Sequence, residues 1–163
     1  METITSFSGR HGFLSNFHRQ AFYLPGWPQI MPTAEHAYQA CKAVTGEQAH
    51  WVLEASSPQL AKSRGRQVDA YPDWEMRKRE VMLKILLAKF TRNWDNTLAD
   101  QLIATGDAVL VEGNTWGDTF WGAVPLVSLH TAIMPVWPVP GAPAWHGRNW
   151  LGRELMMVRE VLA

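Results

Sequence analysis

Pro32-Thr33-Ala34-Glu35-His36-Ala37-Tyr38-Gln39-Ala40-Cys41-Lys42 sets a carboxylate, an amide and an ammonium on one face of a short helix. At about 100° per residue, Glu35, Gln39 and Lys42 fall within roughly 60° of one another, with Tyr38 alongside. Ala34, Ala37, Cys41 and Val44 form a separate small, apolar stripe that packs inward. Thr33 is the predicted N-cap and Gly46 the predicted stop. The plainest reading of the polar face is solvent exposure with a Glu-to-Lys pair, worth a few tenths of a kcal/mol. The rest of the chain argues for more.

Working outward, Ile4 to Tyr23 is rich in aromatics, Gly and Ser without a helical period, and reads as short strands and a loop, with a turn over residues 6–12. Pro25-Gly26-Trp27-Pro28 is another turn. Helices are predicted over about 50–55, from Ser57-Pro58 to about Arg64-Gly65, from Trp74 to about Arg92 with Asp73 as cap, and over about 96–104. A short buried strand is predicted at Ala108 to Val111, and a last helix over about 149–162 with Asn149 as cap. Residues 123–147 carry Pro125, Pro135, Pro138, Pro140 and Pro143 with Trp137 and Trp145. That proline density excludes a continuous helix there, although 125–134 has room for a short one. The expected fold is mainly α: a compact, multihelical single domain over 1–163 with small β elements.

Composition narrows the function. With 163 residues, the chain is expected to bury about 70% of its unfolded surface as one domain. No apolar run approaches the ~20 residues needed to span a bilayer, so no membrane partner is expected. No basic region followed by a hydrophobic core marks a secretory signal, and a cytoplasmic location is expected. The 15 basic residues balance 15 acidic ones, so bulk coating of nucleic acid is disfavoured. Local basic patches remain around Lys62, Arg64 and Arg66 or around Arg77, Lys78 and Arg79. The single Cys41 excludes an intrachain disulfide and a Cys-rich zinc site, and the six histidines make no H-x-x-x-H pair, so no metal is expected. Nine tryptophans are the outlier. Most suit core packing, while Trp116 and Trp121 sit where stacking on a nucleobase is an alternative. No G-x-G-x-x-G, P-loop or G-x-S-x-G motif occurs.

The Pro32–Lys42 stretch resembles the signature of the NADAR (YbiA-like) family of N-glycosidases. The resemblance continues through Leu14-Ser15-Asn16-Phe17, Arg64-Gly65-Arg66, Trp74 with Arg77 and Met82, Ala88-Lys89-Phe90, and Leu110 with Glu112. It runs on through Asp118-Thr119-Phe120-Trp121-Gly122 and closes with Asn149-Trp150-Leu151-Gly152-Arg153-Glu154-Leu155-Met156 and Arg159. The blocks stand in family order over nearly the whole chain. The 123–147 segment departs from the family, in which it is shorter and richer in glycine, and so bears on substrate size.

The resemblance implies hydrolysis of an N-glycosidic bond with no cofactor. An ADP-ribosylated guanine in nucleic acid or nucleotide is the favoured substrate, and contact with modified nucleic acid would be transient. Ribosylamino-pyrimidine intermediates of riboflavin biosynthesis are the alternative small-molecule substrates. Such a reaction passes through an oxocarbenium-like state, which a carboxylate beside the ribose stabilises or serves by accepting a proton from water. Glu35 is the first candidate, since the helix N-terminus favours its ionised form. Lys42 holds Glu35, phosphate or ribose, and Asp118 is the second carboxylate or a ribose anchor, against a plain turn-forming role. Gln39 is a positioning candidate, Trp121 stacks on the base or packs in the core, and Arg64 and Arg66 suit a diphosphate through their planar forks or complement the dipole at a helix end. Ser15, Asn16 and Phe17 complete the ribose and phosphate contacts. Asn149 is either a phosphate seat or a simple cap. His36 reads as a hydrogen-bonded packing residue. The expected cleft lies between the Glu35 helix and the Asp118–Trp121 loop. A module that reads ADP-ribose or NAD without cleaving it, and an interaction domain using the Pro/Trp-rich segment, are the readings from other classes.

Overall fold

A computed structural model describes residues 2–94, 97–125, 136–137 and 145–163. The chain divides into two compact units, Ser15–Ala99 and the combination of Met1–Leu14 with Asp100–Ala163. It is mainly helical with short strands. Among the described residues no helix is long and apolar enough to cross a membrane.

The Ser15–Ala99 unit begins with an antiparallel hairpin made of β2 (Phe22–Tyr23) and β3 (Ile30–Met31) in register Phe22 to Met31. Four helices follow: α1 (Ala34–Lys42), α2 (Gly46–Leu53), α3 (Pro58–Gly65) and α4 (Trp74–Thr91). Thr33 caps α1 as predicted, its side chain accepting from the His36 N–H. Ser57 caps α3 in the same way with Pro58 at the first turn. Ala34, Ala37 and Ala40 are fully buried, and these small side chains let α1 lie close against α2, α3 and α4. Phe22, Met31, Val52, Met82, Ile85, Leu86 and Phe90 fill the core around them. Each such burial contributes about 1.5–3 kcal/mol.

Three local readings change here. Gly46 does not stop α1; it opens α2, four residues before the predicted start, because Thr45 accepts from the Gln48 N–H as N-cap. Instead α1 ends where Ala43 turns extended and bridges to Ala70. Val44, expected on the inward stripe, is 43% exposed as a result. Asp73 stands before α4 without a side-chain capping bond and pairs with Arg77 instead.

The other unit joins the chain's two ends. β1 (Thr3–Ile4) pairs in parallel with β4 (Val109–Leu110), so the strand predicted at 108–111 is present. A 3-10 helix, Gly9–Leu14, occupies much of the region expected to be turn and loop. β5 (Val124–Pro125), β6 (Val136–Trp137) and β7 (Trp145–His146) form an antiparallel sheet in the order β5-β7-β6. α5 (Thr97–Ile103) crosses the division between the units, and α6 (Trp150–Leu162) closes the chain. Leu110, Val111, Leu155 and Val158 are buried in this unit. Most of the Pro/Trp-rich 123–147 segment, including the short helix allowed at 125–134, lies outside the described residues, as does Asn96 at the predicted start of α5.

Candidate active site

The polar face of α1 is not solvated. Glu35 is 6% exposed and Gln39 7%, because α1 has neighbours on nearly every side. Burying a carboxylate is costly unless donors satisfy it, and Gln39 Nε2 donates to Glu35 Oε1 at 2.9 Å from one helical turn on. The Glu35 N–H, otherwise an orphan of the helix start, donates to the Asn16 carbonyl at 3.0 Å. The carboxylate is thus held at the positive end of α1, where the dipole favours negative charge.

Asn16 meets this helix start through its carbonyl, and the residues beside it are held in turn. Ser15 Oγ accepts the Phe17 N–H at 3.1 Å, and the Ser15 carbonyl accepts from Lys89 Nζ at 2.8 Å. Asn16 Nδ2 contacts Met82 Sδ at 3.5 Å, and Asn16 Oδ1 is buried with no hydrogen-bond partner among the described residues. Lys62 Nζ lies 5.6 Å from the centre of the Phe17 ring.

Lys42 Nζ donates to the Gly65 carbonyl at 2.7 Å, closing the last turn of α3. Arg64, half-buried, is turned to α2: its guanidinium donates to the Trp51 carbonyl at 2.5 Å and lies 5.0 Å from the centre of the Trp51 ring. Arg66 is exposed. The two arginines flanking Gly65 therefore do different things, one docking helices and one facing solvent.

His36 is the packing residue expected. Its Nε2 meets the Ala55 carbonyl at 3.0 Å, an acceptor, so Nε2 carries the proton and Nδ1 accepts from the Thr33 hydroxyl at 2.8 Å. Burial pulls its pKa below the ordinary value, with the Ala55 bond opposing.

In the other unit, Asp118 Oδ1 accepts the N–H groups of Phe120 and Trp121, each at 3.0 Å. Asn114 brackets the same residue, accepting its N–H at 3.0 Å and donating to its carbonyl at 2.7 Å. One Asp118 oxygen therefore builds the turn, and Oδ2 is the atom left to meet a ligand. Trp121 is half-buried, edge-on to Phe120 at 5.0 Å and 85°. Trp116 is 69% exposed. Asn149 has left-handed backbone, φ 50°, and makes no side-chain cap. Its amide instead joins two stretches of backbone, donating to the Leu110 carbonyl and accepting the Glu112 N–H, both at 2.9 Å. The simple side-chain cap is therefore not formed; the side chain instead joins β4 to the residue two positions beyond it.

Sequence reasoning gave no role to Lys89, which is 1% exposed. A periodic signal was present: Met82, Ile85, Leu86 and Lys89 share the inward face of α4, so an ammonium stands where the pattern calls for an apolar side chain. Among the described residues no group of three or more His, Cys, Asp or Glu side chains is placed to hold a metal ion.

A cleft of about 840 Å³ opens elsewhere in the Ser15–Ala99 unit, lined by Trp27, Cys41, Tyr71, Arg77, Lys84 and Arg92 among others. Neither Glu35 nor Gln39 lines it, since Cys41 points about 200° around α1 from Gln39. Among the described residues no carboxylate lines it either, and two of its cations are already paired, Arg77 with Asp73 and Lys84 with Glu80. The N-glycosidic chemistry that the sequence resemblance implies needs a carboxylate, and Glu35 with its supports supplies one. Burial pushes the Cys41 thiol up to about 12.

The NADAR domain family profile matches residues 5–163. N-glycosidase YbiA of Escherichia coli is 32% identical over 167 residues, covering 99% of this chain and 90% of that protein. A riboflavin biosynthesis protein of Vibrio vulnificus is 37% identical over 154 residues, 93% of this chain. The chain spans only 36% of that protein's length. The NMR structure of Escherichia coli YbiA superposes with a TM-score of 0.74 at 32% identity, covering 99% of this chain and 86% of that one.

Proposed function

The chain belongs to the NADAR domain family, and from that premise we propose that it hydrolyses the N-glycosidic bond of an ADP-ribosylated guanine, in nucleic acid or nucleotide, releasing ADP-ribose. Relatives aligned over most of their own length are named N-glycosidases, which gives the enzyme class: a glycosyl hydrolase acting at nitrogen. The observation that carries the reading is the Glu35 carboxylate, buried at the start of α1 and held by Gln39.

In the proposed reaction the C1′–N bond breaks with its electron pair leaving on the base, and positive charge develops on the ribose. Glu35 stabilises that charge and takes the proton of the water whose oxygen bonds to C1′. The departing base takes up a proton at nitrogen from solvent and Glu35 releases the one it accepted, so one water is consumed in all. Donors already in place around a carboxylate need no reorganisation as charge develops, which is the larger part of such catalysis. Arg66, exposed, is the proposed diphosphate contact. Arg64 and Lys42, each spent on a backbone carbonyl, support the helices instead.

The second reading is hydrolysis of a ribosylamino-pyrimidine, favoured by the riboflavin biosynthesis name of the Vibrio relative. The test is mass-spectrometric detection of ADP-ribose released from ADP-ribosylated guanosine, with Glu35→Gln alongside. Gln at 35 still accepts the Gln39 amide, so the fold survives while turnover falls about 10²-fold or more. Near-wild-type turnover in that variant would remove Glu35 from the chemistry. No release by either protein, with release from a ribosylamino-pyrimidine, would favour the second reading.

A further inference from the structure

We infer that Gly65 is a positioning residue for Glu35: because it lacks a side chain, Gln39 lies flat against the end of α3 and holds the Glu35 carboxylate. The inference rests on the role proposed above for Glu35. A Cβ built on Gly65 falls 2.0 Å from Gln39 Oε1, 2.5 Å from its Cδ and 2.7 Å from its Cβ. Three atoms along the side chain are too close, so moving the tip alone does not relieve the clash. Gly65 has no positive φ, and Arg66 after it is right-handed helical. The usual reason for glycine at a helix end, a left-handed backbone, is therefore missing. Space, not conformation, calls for glycine here.

α1 grips the same residue twice. Gln39 covers its α-carbon, and Lys42, three residues on and on the same face, donates to its carbonyl at 2.7 Å. Gln39 is 7% exposed and spends its amide N–H on Glu35 Oε1 at 2.9 Å. A methyl at position 65 turns Gln39 out of that place, and Glu35 loses the Gln39 hydrogen bond. Misplacing a reacting group by about 1 Å can cost 10²-fold in rate, so a loss of about tenfold or more is expected.

The experiment measures kcat and KM of wild type, Gly65→Ala, Gln39→Ala and the double variant on ADP-ribosylated guanosine. Gly65→Ala is expected to lower kcat about tenfold or more with KM changed less than about threefold. In the Gln39→Ala background the same substitution changes kcat by less than about twofold, because the side chain it displaces is gone. Equal loss in both backgrounds overturns the inference. A readout free of turnover is the Gln39 side-chain amide resonance in 15N–1H spectra. Gly65→Ala is expected to shift it toward the position of a solvated amide while resonances of α4 stay in place; an unmoved signal overturns the inference. That spectrum separates a failure here from the absence of N-glycosidase activity. Should Gly65→Ala fail to fold, the double variant decides: folding supports the clash with Gln39, and a second failure refutes it.

Discussion

Gly152→Ala puts the close approach of α6 and β4 to a quantitative test. A Cβ at Gly152 falls 2.1 Å from the Leu110 carbonyl oxygen and 2.7 Å from both side-chain polar atoms of Asn149. Ordinary contact begins near 3.4 Å, so backbone has to move by about 1.3 Å. Neither neighbour is the loose end of a flexible chain: Leu110 is paired in β4, and the Asn149 amide is fastened at both ends. Overpacking of this kind costs about 1–3 kcal/mol. Displacing the Asn149 amide loses two hydrogen bonds of about 1 kcal/mol each. The gain in helix propensity from Gly to Ala offsets about 0.5–1 kcal/mol. The net expectation is a destabilisation of about 2–4 kcal/mol. With an m-value of about 2 kcal/mol per M, the urea midpoint should fall by about 1–2 M. Gly46→Ala is the control, because a Cβ at that first helical residue meets nothing within 4 Å. It should leave the midpoint unchanged or raise it slightly. A Gly152→Ala midpoint equal to or above that of wild type would refute the reasoning, since helix propensity alone would then govern the site.

Two further expectations concern titrating groups. His36 has a folded pKa below its unfolded value near 6.5, so the unfolded chain binds the extra proton. Its contribution is therefore complete above about pH 6.5 and declines as pH falls below it, and the stability gap between wild type and His36→Gln should narrow from pH 7.5 to pH 5; a constant gap would contradict the neutral, doubly bonded imidazole. Cys41, with its pKa pushed up to about 12, carries about 10³-fold less thiolate at pH 8 than an unfolded cysteine. Iodoacetamide labelling of the native protein should be slower than that of the denatured chain by about that factor, and comparable rates would show the thiol open to water.

The local features of the Ser15–Ala99 unit were legible because short-range chemistry specifies them. Thr33 and Ser57 sit as N-caps, Pro58 opens α3, and the spacing of Glu35, Gln39 and Lys42 does put them on one face of α1. Boundaries that depend on a partner segment were not legible. α1 ends against Ala70, 27 residues past Ala43, and no local residue announces it. The site followed the same rule. Glu35 and Gln39 were named from their spacing, and their i, i+4 bond follows from it. Their burial did not follow, because it comes from the helices packed around α1. The ordered motif blocks identified the family, which is a statement about residues along the chain.

By itself, then, the sequence determined the helical class, the capped helix starts at Thr33 and Ser57, the family and the carboxylate–amide–ammonium face, all set by interactions within a few residues. Tertiary structure alone decided what those side chains touch. It turned Lys42 to the Gly65 carbonyl, Arg64 to Trp51, Asn149 to Leu110 and Glu112, and Lys89 to Ser15. The physical reason is common to all four. A backbone carbonyl or N–H left without a partner in its own element takes a polar side chain that reaches it, and which one does depends on segments 13 to 74 residues apart being folded together.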